Sequence, residues 1–329
     1  MDVAVQVQRN PVADEVSALV AVVRPILAGL LFGLKADVAD EVGGKESVKL
    51  KMMPRMVRPG DGDLGICFEY AVHNAMLTGD GDVLERVDTA LSRLCGVSGA
   101  QLGSILFAVE KSGSQSLINT NADLITTQSV LMSGVRGQPV KLGRHIGGIS
   151  RAFRSREARE RLPTSIAGVW KADLFLGKTD SDRWVGTSVR SNRLMLEGAH
   201  GLRIGIVPAS ETGTDAPYKD EGKNLAVCPL PYEGAFMETF YKGWELVQIF
   251  LAADAQLPAP NALPRAPARQ VARMLAERRE APVVELIDTL AAVAQPELLY
   301  TEDERANVVL QRGDQMVMDI VIAPEARKT

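Results

Sequence analysis

Two short apolar segments, separated by a polar, turn-forming stretch, constrain the fold of this chain more than any other feature. The segments are residues 170–177 (WKADLFLG) and 184–192 (WVGTSVRSN), and residues 178–183 between them are polar. Short apolar runs on either side of a turn are typical of a β-hairpin. We therefore expect strands at residues 170–176 and 184–190.

Polar residues interrupt both segments of this hairpin. Lys171 and Asp173 lie two positions apart in the first segment, and Ser188 and Arg190 lie two apart in the second. Because successive side chains of a strand point to opposite faces, each pair shares one face of its strand. If the two faces coincide, one acid, one hydroxyl and two cations meet where a hydrophobic core is expected. Such a cluster indicates a site for chemistry.

The pattern around the hairpin predicts an α/β fold, with a central mixed β-sheet flanked by helices. Helical spacing and capping residues predict helices at about 14–34, 64–77, 82–94, 99–110 and 146–162. Apolar runs predict further strands within 45–58 and at 202–207 and 225–230, and a polar loop at 211–223. A long amphipathic helix with Phe236, Phe240 and Val247 on one stripe follows.

The proline content predicts a division of the chain. Pro258, Pro260, Pro264 and Pro267 mark residues 257–268 as a stiff linker. We expect the α/β domain to occupy residues 1–256. Residues 269–329 are expected to form a small α+β accessory unit of two helices and a hairpin, the strands being 306–310 and 316–322.

Composition excludes several classes of protein. The net charge of −4 gives no overall attraction for nucleic acid, so such binding requires local basic patches. Three widely spaced cysteines and three histidines do not indicate a disulfide framework or a zinc cluster. The N-terminal region lacks the pattern of a secretory signal, and Arg24 and Pro25 interrupt its most apolar stretch. We expect a soluble, cytoplasmic protein that does not enter a membrane.

Three elements of the sequence resemble the restriction-endonuclease-like nucleases, the PD-(D/E)XK superfamily. They are a helix with an inward acid (Glu69 within residues 65–73), the strand acid Asp173, and the third motif Ser188-Val189-Arg190. The resemblance covers residues 64–207. It implies that Glu69, Asp173 and the backbone carbonyl of Val189 hold Mg²⁺ or Mn²⁺, and that Glu69, Lys171, Asp173, Ser188 and Arg190 form the catalytic site.

The third motif departs from the family pattern at two positions. Ser188 stands where Glu, Asp or Gln is commoner, and Arg190 stands where Lys is expected. Arginine stays protonated at ordinary pH, so Arg190 cannot act as a general base, although it can bind a phosphate. Lys171 is the candidate to replace the motif lysine. Structural explanations stay open: Asp173 paired with Lys171, Arg190 paired with a structural acid, and His73 as a hydrogen-bonded core residue.

The resemblance implies a metal-dependent nuclease that hydrolyses DNA in restriction or another prokaryotic defence system. Candidate DNA-facing patches are the basic residues of 45–58 and the arginines of 151–161, although Glu157 and Glu160 can pair with the latter. One alternative is a catalytically degenerate nuclease-fold subunit that binds nucleic acid or assembles with partners. Another is a structural protein with a buried hairpin. The sequence does not distinguish DNA from RNA, and a homodimer or a defence-system partner remains open.

Overall fold

The computed structural model describes most of the chain. The described residues are 3–8, 14–57, 63–107, 128–132, 139–152, 155–209, 216–232, 235–294, 305–312 and 315–321. Their strands are β1 (Val3–Gln8), β2 (Leu102–Leu106), β3 (Val130–Leu131), β4 (Val140–Lys141), β5 (Leu174–Lys178), β6 (Arg183–Val189), β7 (Leu202–Pro208), β8 (Tyr218–Asp220), β9 (Leu225–Leu230), β10 (Arg305–Arg312) and β11 (Gln315–Val321). Their helices are α1 (Asp14–Gly33), α2 (Ala36–Asp40), α3 (Met53–Met56), α4 (Asp63–Thr78), α5 (Gly81–Thr89), α6 (Ile146–Ala152), α7 (Arg156–Glu160), α8 (Ala235–Ala252), α9 (Ala266–Glu277) and α10 (Val283–Ala294).

A mixed β-sheet forms the centre of the molecule, which confirms the predicted α/β class. Its strand order is β2-β5-β6-β7-β9-β8, and β3 and β4 extend it beside β6. The pairs β2–β5, β5–β6 and β8–β9 are antiparallel, whereas β6, β7 and β9 are parallel to one another. The predicted hairpin is thus present as β5 and β6, in the middle of the sheet.

Close backbone approach between β6 and β7 requires glycine. A side chain at Gly186 would place its Cβ atom 2.5 Å from the carbonyl oxygen of Gly201. Gly201 itself has φ +95°, a left-handed conformation that glycine adopts without strain. This contact fixes how the segment after β6 returns to the sheet.

Alternating residues of the hairpin pack into two separate hydrophobic cores. Leu174 and Leu176 of β5 and Val185 of β6 lie on the side of α1 and α4. Phe175 and Trp184 lie in the second core, on the opposite face of the sheet. Both faces of the central strands are therefore buried, so any charged residue at their ends needs a partner.

Helix α1 is long and strongly apolar. Residues Glu15–Gly33 are long and apolar enough to cross a membrane, with a mean hydropathy of 2.1, but 72% of that window is buried inside the protein. The helix packs against α4, α8 and α10. This burial is the pattern of a core helix in a soluble protein.

The helices after the proline-rich stretch pack into the same core as α1. Leu275 of α9 and Leu290 of α10 belong to the cluster that contains the buried residues of α1. Arg24 of α1 donates from Nε to the carbonyl oxygen of Ile287 at 3.1 Å. Over the described residues, α9 and α10 therefore build no core of their own.

The C-terminal hairpin is present as the antiparallel pair β10 and β11. Strand β1 pairs antiparallel with β10 and makes a sheet of three strands. The sequence analysis missed this pairing because the partner of residues 3–8 lies about 300 residues away in the chain. That this hairpin belongs to a separate unit formed by residues 269–329 stays a prediction.

Several sequence predictions of local structure are wrong. Residues 99–110 were expected to be helical, but Leu102–Leu106 form β2 at the edge of the sheet. A short apolar run does not distinguish a strand from a helix, because both can bury it. The expected strand within residues 45–58 is replaced by short 3₁₀ turns and α3. The expected loop 211–223 contains β8, and its residues 210–215 lie outside the described part.

The first strand of the hairpin also begins later than predicted. Val169–Lys171 form a 3₁₀ turn, and β5 starts only at Leu174. The predicted helix 146–162 is present in two pieces, α6 and α7. Because β5 starts only after Asp173, Lys171 lies outside this strand, and its side chain is not placed by the strand alternation.

Candidate functional site

The ends of the hairpin strands place Asp173 beside Ser188. Leu174 pairs with Thr187 in the antiparallel register, so the residues next to them, Asp173 and Ser188, lie opposite each other. The backbone N–H of Asp173 donates to the carbonyl oxygen of Thr187 at 2.9 Å, and that of Arg190 donates to Ile206 of β7 at 2.9 Å. The two faces predicted to coincide therefore do so for Asp173 and Ser188.

Helix α4 contributes the second acid of the site. Glu69 is only 5% exposed, and its neighbour Phe68 is fully buried. The helix packs across β2 and also contacts β6. A glutamate so placed in an apolar helix face is unusual, because burial of a charge is costly without a partner.

Glu69, Asp173 and Val189 converge on one nitrogen atom of Arg190. Nη1 of Arg190 lies 2.6 Å from Oδ2 of Asp173, 3.2 Å from Oε1 of Glu69 and 2.7 Å from the carbonyl oxygen of Val189. These three residues are the ones that the sequence analysis named as metal ligands. Their oxygen atoms thus meet at one point, and a guanidinium nitrogen stands there.

Two further donors hold the carboxylate of Asp173. Its Oδ2 accepts the backbone N–H of Val189 at 2.9 Å and the hydroxyl of Ser188 at 3.3 Å. Asp173 is 0% exposed, so these groups and the guanidinium replace the water that the carboxylate loses. The role of Ser188 in this arrangement is to orient Asp173.

The charges of the cluster do not balance. Glu69 and Asp173 contribute two carboxylates, and Arg190 contributes one guanidinium in contact with both. The Arg190 side chain is 29% exposed, whereas those of Glu69 and Asp173 are 7% and 0% exposed. Arg190 therefore stands between the buried acids and the solvent.

Lys171 does not contact Asp173 as expected. Its Nζ pairs with Oε2 of Glu197 at 2.5 Å. Lys171, and more weakly Arg190, lower the pKa of Glu197 below its ordinary value. The prediction that Lys171 and Asp173 share a strand face is wrong, because Lys171 ends a 3₁₀ turn before β5 begins.

The sequence analysis missed Glu197. This residue lies in the segment that links β6 to β7, which has no periodic pattern. A single acid in a polar connection gives no signal of its partners. Only the return of the chain past the end of β6 brings Glu197 to Lys171.

His73 is a partly buried structural partner of β2. Its Nδ1 and the hydroxyl oxygen of Ser104 are hydrogen bonded at 2.9 Å. Burial lowers the pKa of His73 to about 4. The imidazole is therefore neutral near pH 7, in agreement with its interpretation as a hydrogen-bonded core histidine.

The donor chemistry of the cluster fits a hard divalent cation. Mg²⁺ prefers oxygen ligands and is commonly held by one or two carboxylates, waters and substrate phosphate. Glu69, Asp173 and the carbonyl of Val189 offer such a set once the guanidinium of Arg190 withdraws. Among the described residues, no group of three or more His, Cys, Asp or Glu side chains has an arrangement that could hold a metal ion.

Several described residues of the basic segments make contacts within the protein. Lys51 pairs with Glu280 at 2.6 Å. In α7, Arg156 pairs with Glu160 at 3.2 Å, and the guanidinium of Arg159 lies 4.1 Å from the ring centroid of Trp170. Intramolecular contacts therefore account for much of the charge that the sequence offered for DNA.

Comparison of the chain with family models, curated proteins and solved structures finds no match. The α/β class and the mixed sheet rest on the structure described above. Any narrower assignment rests on the geometry of the cluster.

Proposed function

We propose that this protein is a metal-dependent nuclease that hydrolyses phosphodiester bonds of DNA, with a role in restriction or another prokaryotic defence system. One observation carries the proposal: oxygen atoms of Glu69, Asp173 and Val189 meet at a single point. They come from a helix, the start of one strand and the end of its neighbour. The PD-(D/E)XK resemblance names these residues in this order.

Mg²⁺ or Mn²⁺ would be held by Glu69, Asp173 and the carbonyl of Val189. An ion bound there supplies Lewis-acid activation of the phosphate and lowers the pKa of a water molecule. The protein keeps Asp173 oriented for this task through Ser188 and the N–H of Val189, independently of Arg190. The buried surroundings of both carboxylates strengthen their attraction for a cation.

Arg190 has a different role from the family lysine in this proposal. It stays protonated and cannot remove a proton from water. Its guanidinium matches the geometry of phosphate oxygens, and its partial exposure allows it to reach a substrate. We propose that Arg190 contacts the phosphate of the substrate when the carboxylates hold a metal ion.

The proposed setting is the cytoplasm of a prokaryotic cell. Cys67, Cys95 and Cys228 are free and buried, which is compatible with a reducing compartment. A cut through both strands of DNA requires two sites or two successive nicks. A second copy of the chain, or a defence-system partner, would supply the second site.

A catalytically degenerate subunit that binds nucleic acid or assembles with partners is the second candidate. The contact of Arg190 with fully buried Asp173 favours it, because the guanidinium already compensates the carboxylates. In this candidate Arg190 replaces the metal ion permanently. The protein would then bind DNA through phosphate contacts without cutting it.

Incubation of plasmid DNA with the purified protein and Mg²⁺ or Mn²⁺ tests the proposal. We expect nicking or cutting that Asp173→Asn reduces about 100-fold or more, because one carboxylate of the ion site is lost. Asp40→Asn is the matched control, since Asp40 is exposed at the end of α2.

Each outcome has a distinct meaning. Equal cutting by the wild type and Asp173→Asn would contradict the site assignment and indicate a contaminant. If neither the wild type nor the variants cut DNA but the wild type binds it, the degenerate subunit is favoured. This binding should weaken with salt, because phosphate contacts release counterions. Absence of both binding and cutting would reject the nuclease and the DNA-binding form of the second candidate, and would leave a subunit that assembles with partners.

A further inference from the structure

Two large apolar side chains protrude next to the candidate site. Leu194 is 88% exposed and Met195 is 63% exposed. They lie on a 3₁₀ turn, Arg193–Met195, that begins three residues after Arg190. Isolated exposed apolar residues are common, but two adjacent ones at the tip of a turn form a local apolar surface.

The turn is held in a fixed shape. The side-chain oxygen of Asn192 accepts the N–H of Leu194 at 2.9 Å. The next residue along, Leu196, is 4% exposed and packs in the second core. The ammonium group of Lys223 donates to the carbonyl oxygen of Leu196 at 2.9 Å. The apolar tip is therefore presented by an anchored turn, so ordering it on binding costs little entropy.

Two cationic side chains lie at this apolar tip. The guanidinium of Arg193, within the turn, lies 5.3 Å from the ring centroid of Tyr218 and donates to its hydroxyl at 2.5 Å. The ammonium group of Lys223 contacts the turn at the carbonyl oxygen of Leu196. The acid within the segment, Glu197, is paired with Lys171. This combination suits a polyanion that has an apolar interior.

We infer that Leu194 and Met195 form a wedge that inserts between stacked base pairs of duplex DNA beside the scissile phosphate. This inference rests on the proposed function. Leucine and methionine are among the apolar residues that proteins insert between base steps, which unstacks and kinks the duplex. Arg193 and Lys223 would contact the phosphates on either side of the opened step.

The position of the wedge relative to the site follows from chain length. Four residue steps separate Arg190 from Leu194, which limits their Cα atoms to about 14 Å apart. Base pairs are spaced by about 3.4 Å, so the Cα atoms of Arg190 and Leu194 span at most about four base-pair steps, and the wedge enters the duplex on the same stretch of DNA as the phosphate that Arg190 contacts. The kink would expose that phosphate to Glu69 and Asp173.

DNA binding by the full chain without divalent cation tests the wedge. The probe is a duplex that carries 2-aminopurine, whose fluorescence rises when it is unstacked. We expect the fluorescence to rise when the wild type binds. For the double variant Leu194→Ser/Met195→Ser we expect no rise, and DNA binding that is weaker by about 10-fold or more. The slope of log Kd against log salt should not change, because no charge is removed.

Two further variants complete the test. Leu77→Ser is the matched control, since Leu77 is 62% exposed at the end of α4, and it should bind as the wild type does. Arg193→Gln should reduce the salt slope by about 1, as expected for one lost phosphate contact. Unchanged thermal unfolding of each variant shows that the fold is retained, which exposed positions allow.

Failure of the wedge is distinguishable from failure of the proposed function. The wedge alone is overturned if the wild type binds and cuts DNA and the double variant binds DNA and raises the fluorescence as much as the wild type does. A chain that neither binds nor cuts DNA, with or without Mg²⁺ or Mn²⁺, overturns both. If the double variant instead converts a dimer into a monomer in sedimentation, with DNA binding by the monomer unchanged, the turn contacts a second copy and the wedge is rejected.

Discussion

Arg190 carries the positive charge at the point where the two buried acids and a backbone carbonyl meet. Removal of one partner from a buried ion pair usually costs several kcal/mol, because the remaining charge stays without compensation. Exposed pairs contribute at most about 1 kcal/mol. The Arg190 side chain is 29% exposed, so its contribution should fall between these limits.

We predict that Arg190→Gln lowers the free energy of unfolding by about 2 kcal/mol in the absence of divalent cations. The variant should bind Mn²⁺ more tightly than the wild type, because no guanidinium competes for the carboxylates. Thermal unfolding with and without Mn²⁺ measures both effects. The ion should therefore raise the Tm of the variant more than that of the wild type.

Arg183→Gln is the control, since Arg183 is an exposed arginine at the other end of β6. It should change neither stability nor the response to Mn²⁺. If Arg190→Gln also shows no response to the ion, the carboxylates do not hold a metal, and the degenerate subunit becomes the better explanation.

At the scale of elements, α4 is fixed to the sheet by a polar contact as well as by apolar packing. The hydrogen bond between His73 and Ser104 joins α4 to β2, one helical turn beyond Glu69. This contact keeps Glu69 above the end of the hairpin. Burial keeps this imidazole neutral near pH 7.

The stability of the protein should therefore fall between about pH 6.5 and pH 4. In this window the unfolded chain, with an ordinary histidine pKa, takes up a proton that the folded chain does not, because its pKa is about 4. We predict that His73→Gln removes at most about 2 kcal/mol of the stability change between pH 7 and pH 5.

Urea unfolding at the two pH values measures this difference. His200→Gln is the control for the loss of a histidine, since His200 is exposed. Equal pH dependence of the wild type and His73→Gln would contradict a buried neutral imidazole.

Local patterns predicted some of these elements and not others. The hairpin β5–β6 was predicted because a polar turn between two apolar runs is a signal carried by neighbouring residues. Strand β2 was taken for a helix, because Leu102, Ile105 and Leu106 fit a helical stripe as well as a strand buried on both faces. Its partner β5, distant in the chain, decides between the two.

For the whole molecule, the core around α1 includes helices from both ends of the chain. Leu290 of α10 is fully buried in the same cluster as the residues of α1. A substitution there should thus affect the complete fold. An independent accessory unit would instead unfold by itself.

We predict that Leu290→Ala destabilises the protein by about 2–5 kcal/mol, in one cooperative transition. Denaturant unfolding followed by two spectroscopic probes measures this. Leu257→Ala is the control, since Leu257 is 49% exposed in the proline-rich stretch, and its effect should stay near zero. A separate early transition with an unchanged main one would show that α10 folds independently.

The sequence by itself determined the α/β pattern, the hairpin and the identity of Glu69, Asp173 and Val189 as candidate partners. The α/β pattern and the hairpin follow from alternation and turn residues, which act over a few neighbouring residues, whereas the three candidate partners follow from the resemblance to the PD-(D/E)XK nucleases. Only the tertiary structure decided that the three oxygens meet, that Arg190 stands at their meeting point and that Lys171 turns to Glu197. Such contacts depend on how α4 and the β6–β7 connection pack over the sheet, and no local pattern encodes the distance between elements far apart in the chain.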